Sequence, residues 1–332
     1  PPCQFASHGW SGMGSSWCDL FETCEGPALD NCRGNNFESV LTEQMLKREG
    51  IGRSVTDSEG RRTSGHGIIQ FGEDALDLIG GNAYERTALF STWALSTALA
   101  KDAFTQIHTL PDASNAVLAA GISILFADFF TGVFHWAVDN YGDENTPVFG
   151  AVIDAFQVHH DVPWTLTYRP LATNAFAISL SVLPVLVLAT AAGPLSGGEG
   201  LSAPFELAVV VFTNLQVLSQ EFHKFTHMKR VPPPIQTLQD CGIILPRKMH
   251  QNHHRSPFGD NYCIVTGQMN PLLDTTHFFR RLERLVYTCT GNEPKCWQLS
   301  PEMKEGVLKG EYRDPGSYSR SSNSDTSNRP HR

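Results

Sequence analysis

Between Arg169 and Glu199 the chain carries no charged side chain, and residues 172–192 (ATNAFAISLSVLPVLVLATAA) form a nearly unbroken apolar run. An α-helix needs about 20 such residues to cross a hydrocarbon core about 30 Å thick. In lipid a spanning segment must satisfy its own backbone hydrogen bonds, so the run predicts a membrane helix and excludes an open sheet there. Pro184 lies inside it; in a soluble helix that would cost about 3 kcal/mol, whereas membrane helices tolerate it better.

Three further segments, residues 87–103, 113–134 and 203–222, are apolar but interrupted or flanked by a charge such as Asp128 or Glu206. Buried globular helices explain such segments too. We read them as spans, because ionisable groups inside a membrane survive mainly where they face a functional interior. The expected fold is therefore all-α, a multi-span helical membrane protein with about four transmembrane helices.

The ends of the chain differ from this middle. Residues 1–80 hold 6 Lys+Arg against 12 Asp+Glu, a large share of the net charge of −9, and are rich in Gly and Ser. Organelle transit peptides are instead Arg-rich and poor in acids. We expect a mobile acidic extension over residues 1–83, a membrane domain over 84–297 and a polar, largely disordered tail over 298–332. From Arg313 onward (RDPGSYSRSSNSDTSNRPHR) the composition cannot bury a core. No basic face dominates, so nucleic acid is not an expected partner.

The eight cysteines lack any CxxC pair, the spacing that metal-binding thiols usually adopt, and are assigned no chemistry. Residues 277–288 (HFFRRLERLVYT) are amphipathic, with Phe278, Leu282 and Leu285 on one face and Arg280, Arg281 and Arg284 crowding the other. Such a helix fits either an anionic membrane surface or an ordinary protein surface.

Eight of the thirteen histidines fall between positions 135 and 254: His135 with Asp139 four residues on, His159 with His160, His223 with His227, and His250, His253 and His254. Residues three and four apart share a helical face, so the spaced members converge. Neutral imidazole suits iron, zinc and copper. With four spans, the second and fourth end on the same side; they carry His135 and His223/His227, and the other groups lie in connections on that side. All eight histidines can then meet at one membrane face. Zinc is generally satisfied by four ligands and HExxH is absent, so eight histidines point to two metals and best to a non-haem di-iron centre. Asp139 is read as an orienter or water ligand, or as a helix cap.

The elements DFFTGVFHWAVDNYG, DAFQVHHDVPWTLT, EFHKFTHMKRVPPPIQTLQDCGIILPRKMHQNHH and RSPFGDNYCIVTGQMN resemble the lipid desaturase family, which contains plasmanylethanolamine desaturases and plant plastid desaturases. The resemblance covers about residues 84–297. PWTLT after the His pair, VPPPIQTLQD and NYC are closer to the plastid branch, the fatty acid desaturase four type. It implies that His135, His159, His160, His223, His227, His250, His253 and His254 bind two iron ions. It also implies O2 as co-substrate and an external electron donor such as ferredoxin or cytochrome b5. The implied reaction is formation of a 3-trans double bond in the palmitate of phosphatidylglycerol, in a chloroplast membrane (thylakoid or envelope), with the endoplasmic reticulum as alternative.

A vinyl-ether-forming plasmanylethanolamine desaturase and a lipid hydroxylase use the same oxidant and remain alternatives. A membrane metal carrier is a third, but its ligands would lie along a transmembrane path rather than at span ends. Arg247, Lys248 and Arg255 beside the last His group can bind an anionic headgroup through charge-assisted hydrogen bonds, or serve as ordinary flanking charges.

Overall fold

Two reciprocal caps start the first two long helices of the computed structural model, which describes residues 79–196, 200–313 and 317. Helix α1 (Ala83–Thr105) begins where the Asn82 side chain accepts the Glu85 amide and Glu85 accepts the Asn82 amide. Helix α2 (Leu110–Asn140) repeats the device with Thr109 and Asp112, and Pro111 fits its first turn because no N–H is needed there. The expectations for residues 1–78, including Cys3, Cys18, Cys24 and Cys32, lie outside the described residues.

The order continues with α3 (Gly150–Asp161), a 3-10 turn (Pro163–Tyr168), α4 (Leu171–Ala192) and α5 (Ala203–His227). Short helices α6 (Pro233–Asp240), α7 (Arg247–His253), α8 (Asn270–Thr275), α9 (Phe278–Thr290), α10 (Lys295–Leu299) and α11 (Pro301–Lys309) follow. Among the described residues there is no strand. The charge-free run is α4, with Pro184 inside the helix. By length and composition α2 and α4 are able to cross a membrane.

Helix α5 packs against α1, α2 and α4, and α1 packs against α4. The core shared by α1, α4 and α5 is Leu89 and Leu99 from α1, Ala172, Ala175, Val182, Leu186 and Ala189 from α4, and Val217 from α5. Alanines at this seam let the backbones approach closely, the packing that serves where lipid removes any hydrophobic drive between helices. Outward faces remain apolar: Leu118 and Ile122 on α2 and Val187 and Leu188 on α4 are exposed.

A second cluster joins the end of α2 to the C-terminal region through Trp136, Tyr262, Cys263, Leu273 and Phe279. Here helix α9 departs from the amphipathic expectation. Arg280 does not join Arg281 and Arg284 on the outer face; it is buried and paired with the fully buried Glu283, while Leu285 is exposed. Glu283 also accepts the indole N–H groups of Trp136 and Trp297. A buried carboxylate needs a cation and donors, so this demand turns Arg280 inward and sets the rotation of the helix.

Within the stretch expected as a polar tail, α11 is ordered. Met303 and Val307, four apart on one face, are buried beside Cys296 and Trp297. The four described cysteines, Cys241, Cys263, Cys289 and Cys296, are free thiols.

Candidate metal centre

Four elements deliver the histidines. His135 and Asp139 share a face on the last turns of α2, His159 and His160 end α3, His223 and His227 end α5, and His250 and His253 lie on α7 with His254 at its C-cap. The spacing of four on α2 and α5 puts each pair one turn apart, which is why both members reach inward. All eight meet, and they sort into two groups. His159, His223, His227, His250 and His254 place one ligand atom each within 4.8 Å of one another; His135, Asp139, His160 and His253 form the second set by the same measure.

Ring nitrogens face each other at short range. In the five-histidine group, Nε2 of His227 lies 3.1 Å from Nε2 of His159 and 3.0 Å from that of His250, which in turn lies 2.9 Å from that of His254. In the other group His160 Nε2 is 3.0 Å from His253 Nε2, and Asp139 Oδ2 is 3.3 Å from His135, 3.4 Å from His253 and 3.6 Å from His160. A ring nitrogen offers one hydrogen or one lone pair, so such a chain of nitrogens cannot be satisfied by hydrogen bonds alone. A shared cation satisfies it. For metal–nitrogen bonds of about 2.1 Å, adjacent ligands are about 3.0 Å apart in an octahedron and about 3.4 Å apart in a tetrahedron; the nitrogen–nitrogen approaches lie near the first figure and those to Asp139 near the second.

Buried atoms without partners point the same way. His135 Nε2, His223 Nε2 and both oxygens of Asp139 are buried and lack a hydrogen bond, a costly state that a metal ion would relieve. Asp139 therefore lies among the inward ring nitrogens rather than behind them. The residues present fit metal ions.

Electrostatics hold most of the set ready. Burial, reinforced by neighbouring imidazoles, keeps His159, His160, His250 and His254 well below the ordinary histidine range. They stay neutral, as a ligand must. His253 differs: burial pushes it down, but Asp139 and the Asp260 carbonyl outweigh that and hold it above the ordinary value.

The second ring nitrogen of several ligands is fixed from outside. His253 Nδ1 donates to the Asp260 carbonyl at 2.8 Å, and His135 Nδ1 to the Tyr262 carbonyl at 2.9 Å. Each bond assigns the hydrogen to Nδ1 and leaves Nε2 as the inward lone pair. His223 Nδ1 lies 3.3 Å from Gln220 Oε1. Sequence reasoning missed these orienting groups. Two are backbone carbonyls, which carry no residue-type signal; Gln220 had one in its spacing, three residues before His223.

Residues 124–297 match the lipid desaturase domain. The chain belongs to that family. It is 40% identical over 186 residues to Fatty acid desaturase 4, chloroplastic, of Arabidopsis thaliana, a match covering 54% of each chain. It is 34% identical to Plasmanylethanolamine desaturase 1 of Mus musculus, over 54% of this chain and 68% of the relative. Its identity to Plasmanylethanolamine desaturase of Myxococcus xanthus is 32%, over 68% of this chain and 79% of the relative. The chain thus spans about half the length of the first of these relatives. No solved structure matches it.

The basic residues beside the last His group separate in the structure. Arg247 is half-buried and its guanidinium donates to the Met228 carbonyl at the end of α5, whereas Lys248 and Arg255 are exposed. Closing a helix terminus occupies Arg247, because a C-terminal carbonyl is a ready acceptor for a nearby cation.

Proposed function

We propose that the protein is an integral membrane lipid desaturase with two iron ions, one held by His159, His223, His227, His250 and His254, the other by His135, Asp139, His160 and His253. The observation that carries this reading is the approach of ring nitrogens to 2.9–3.1 Å in the first set, with Asp139 closing the second. When bound, iron supplies the activation of O2 and the oxidising power to break an unactivated C–H bond. The balance is two hydrogens from the acyl chain, two electrons from a donor and two protons, consumed with one O2 to give a C=C bond and two waters. The chain's own part is to hold ligands neutral, fix their tautomers and exclude water.

Four long helices, α1, α2, α4 and α5, are the spans of this reading, with the ligands at one face. Helix α2 has 31 residues and is about 46 Å long, against a core of about 30 Å. Its surplus turns, bearing His135 and Asp139, extend beyond the hydrocarbon. A carbon near the carboxyl end of an acyl chain lies at that depth. We therefore assign the substrate as the palmitate of phosphatidylglycerol, desaturated 3-trans, with Lys248 and Arg255 on the anionic headgroup. The name of the Arabidopsis relative supports a plastid membrane, and ferredoxin or cytochrome b5 would supply electrons.

A second reading, a plasmanylethanolamine desaturase, is favoured by the longer match to the Myxococcus relative. Lipid analysis of a host expressing the chain, with intact histidines and with His159→Ala, separates them. The expected product is a trans bond near the carboxyl end of palmitate, confined to phosphatidylglycerol. A mid-chain bond, or vinyl ethers in ethanolamine lipids alone, overturns the substrate assignment.

A further inference from the structure

Asp128 stands in the apolar stretch of α2, two turns before His135, and is fully buried. Its oxygens accept four backbone N–H groups: Val265 at 3.1 Å, Thr266 at 2.8 Å and Gly267 at 3.0 Å on Oδ1, and Met269 at 2.9 Å on Oδ2. Four amides on one carboxyl group occupy both of its oxygens, which is what a buried polar side chain requires. The contacts all come from one segment, the irregular strap of residues 260–270 that leads into α8.

The same face of α2 grips the strap further along. Thr131 Oγ1 accepts the Ile264 amide at 3.2 Å. At Gly132 the absent side chain matters, since a Cβ would come within 2.4 Å of Cys263 Sγ. Asn270 closes the strap on itself, accepting the Cys263 amide at 2.8 Å and donating to its carbonyl at 3.1 Å. The strap then begins with the two carbonyls, Asp260 and Tyr262, that hold Nδ1 of His253 and His135.

Both of those histidines belong to the group that contains Asp139. The five-histidine group has its described orienting contact elsewhere, from Gln220 to His223 within α5. We propose that Asp128 is a positioning residue for one metal site only: by anchoring the strap it sets the tautomers of His135 and His253, so that the Asp139 group takes its metal. The inference rests on the two-metal reading above.

The test uses the full chain in lipid nanodiscs, reconstituted anaerobically with ferrous iron, comparing wild type, Asp128→Ala and a control, Ser123→Ala, whose hydroxyl only bridges α2 to the Ala208 carbonyl of α5. Wild type and control are expected to hold about two irons per chain, and Asp128→Ala about one under the same conditions, its lost site weakened by about 10–100-fold. Mössbauer spectra should show the iron of the five-histidine group unchanged. In metal-free protein the amides of Val265, Thr266, Gly267 and Met269 should exchange hydrogen faster in the variant.

Wild type holding one iron overturns the two-metal reading itself. Wild type and Asp128→Ala both holding two overturns the positioning role. So does loss of both irons from a variant that stays helical and monodisperse, because Asp128 would then serve the whole bundle. If Asp128→Ala does not assemble, Asp128→Asn decides by the same ratio: it keeps one acceptor oxygen but turns an amide donor toward the Met269 N–H.

Discussion

The two ligand groups lie side by side yet are built on different principles. The five-histidine group is neutral, drawn from α3, α5 and α7, and its nitrogens crowd each other directly. The Asp139 group carries the one carboxylate and has two imidazoles fixed by backbone carbonyls of a strap. A site of neutral ligands depends on burial to keep protons away. A site with a carboxylate already has a charge to balance a cation, and two of its imidazoles depend on outside carbonyls for their orientation. The difference teaches that equivalent residues in sequence can occupy unequal places in the chemistry.

The comparison breaks most sharply under ligand removal. His250 touches two other ligands of its group, so His250→Ala and His254→Ala should each lower turnover by more than about 100-fold while the protein remains in the membrane. Lipid product analysis with membrane fractionation checks this. Near-normal turnover in either variant would remove the five-histidine group from the reaction.

Asp139→Asn comes next. It keeps the shape and removes the charge, and the expected loss in metal affinity at its own group is about 10–100-fold. Metal titration reads it, and an equal loss at both groups would erase the distinction drawn here. Gln220→Ala, acting on the orientation of His223 alone, should weaken the five-histidine group by less than that and leave the Asp139 group untouched.

Acid separates His254 from His253 through opposite signs. His254 is held below the ordinary histidine value of 6.5, so the unfolded chain takes up a proton at pH values where the folded chain refuses it. Its share of stability is complete above pH 6.5 and is lost as pH falls. For His253, held above 6.5, stability is present below that pH and lost as pH rises through the folded value. Melting of metal-free protein between pH 7 and about pH 5 should therefore be less acid-sensitive in His254→Gln and more so in His253→Gln. Identical slopes would show that these two histidines do not differ in this way.

The smallest effect is expected at His277. It is half-buried, stacks on Tyr312 at 5.8 Å and touches neither group, so His277→Ala should cost about 1 kcal/mol of stability and leave turnover and metal content unchanged. Loss of all activity there would require a site that includes it.

Much of this was legible in the linear chain. The charge-free run became α4, because apolar composition and length act locally through backbone hydrogen bonding. The histidine spacings announced convergence, since three and four residues make one turn of any helix. What the sequence could not determine was partition. Whether His160 joins His159 or crosses to His253 depends on how α3 lies against α7, and adjacent residues end in different groups. Asp128 was visible as a charge in an apolar stretch, but its partners are amides 137 to 141 residues away. Arg280 was misread for the same reason, because the periodicity of α9 could not reveal that Glu283 would be buried under two indoles. Local pattern fixes which residues share a helical face; only packing decides which face is inside and which backbone group waits there, because that is settled by the burial and hydrogen-bond demands of segments far apart in the chain.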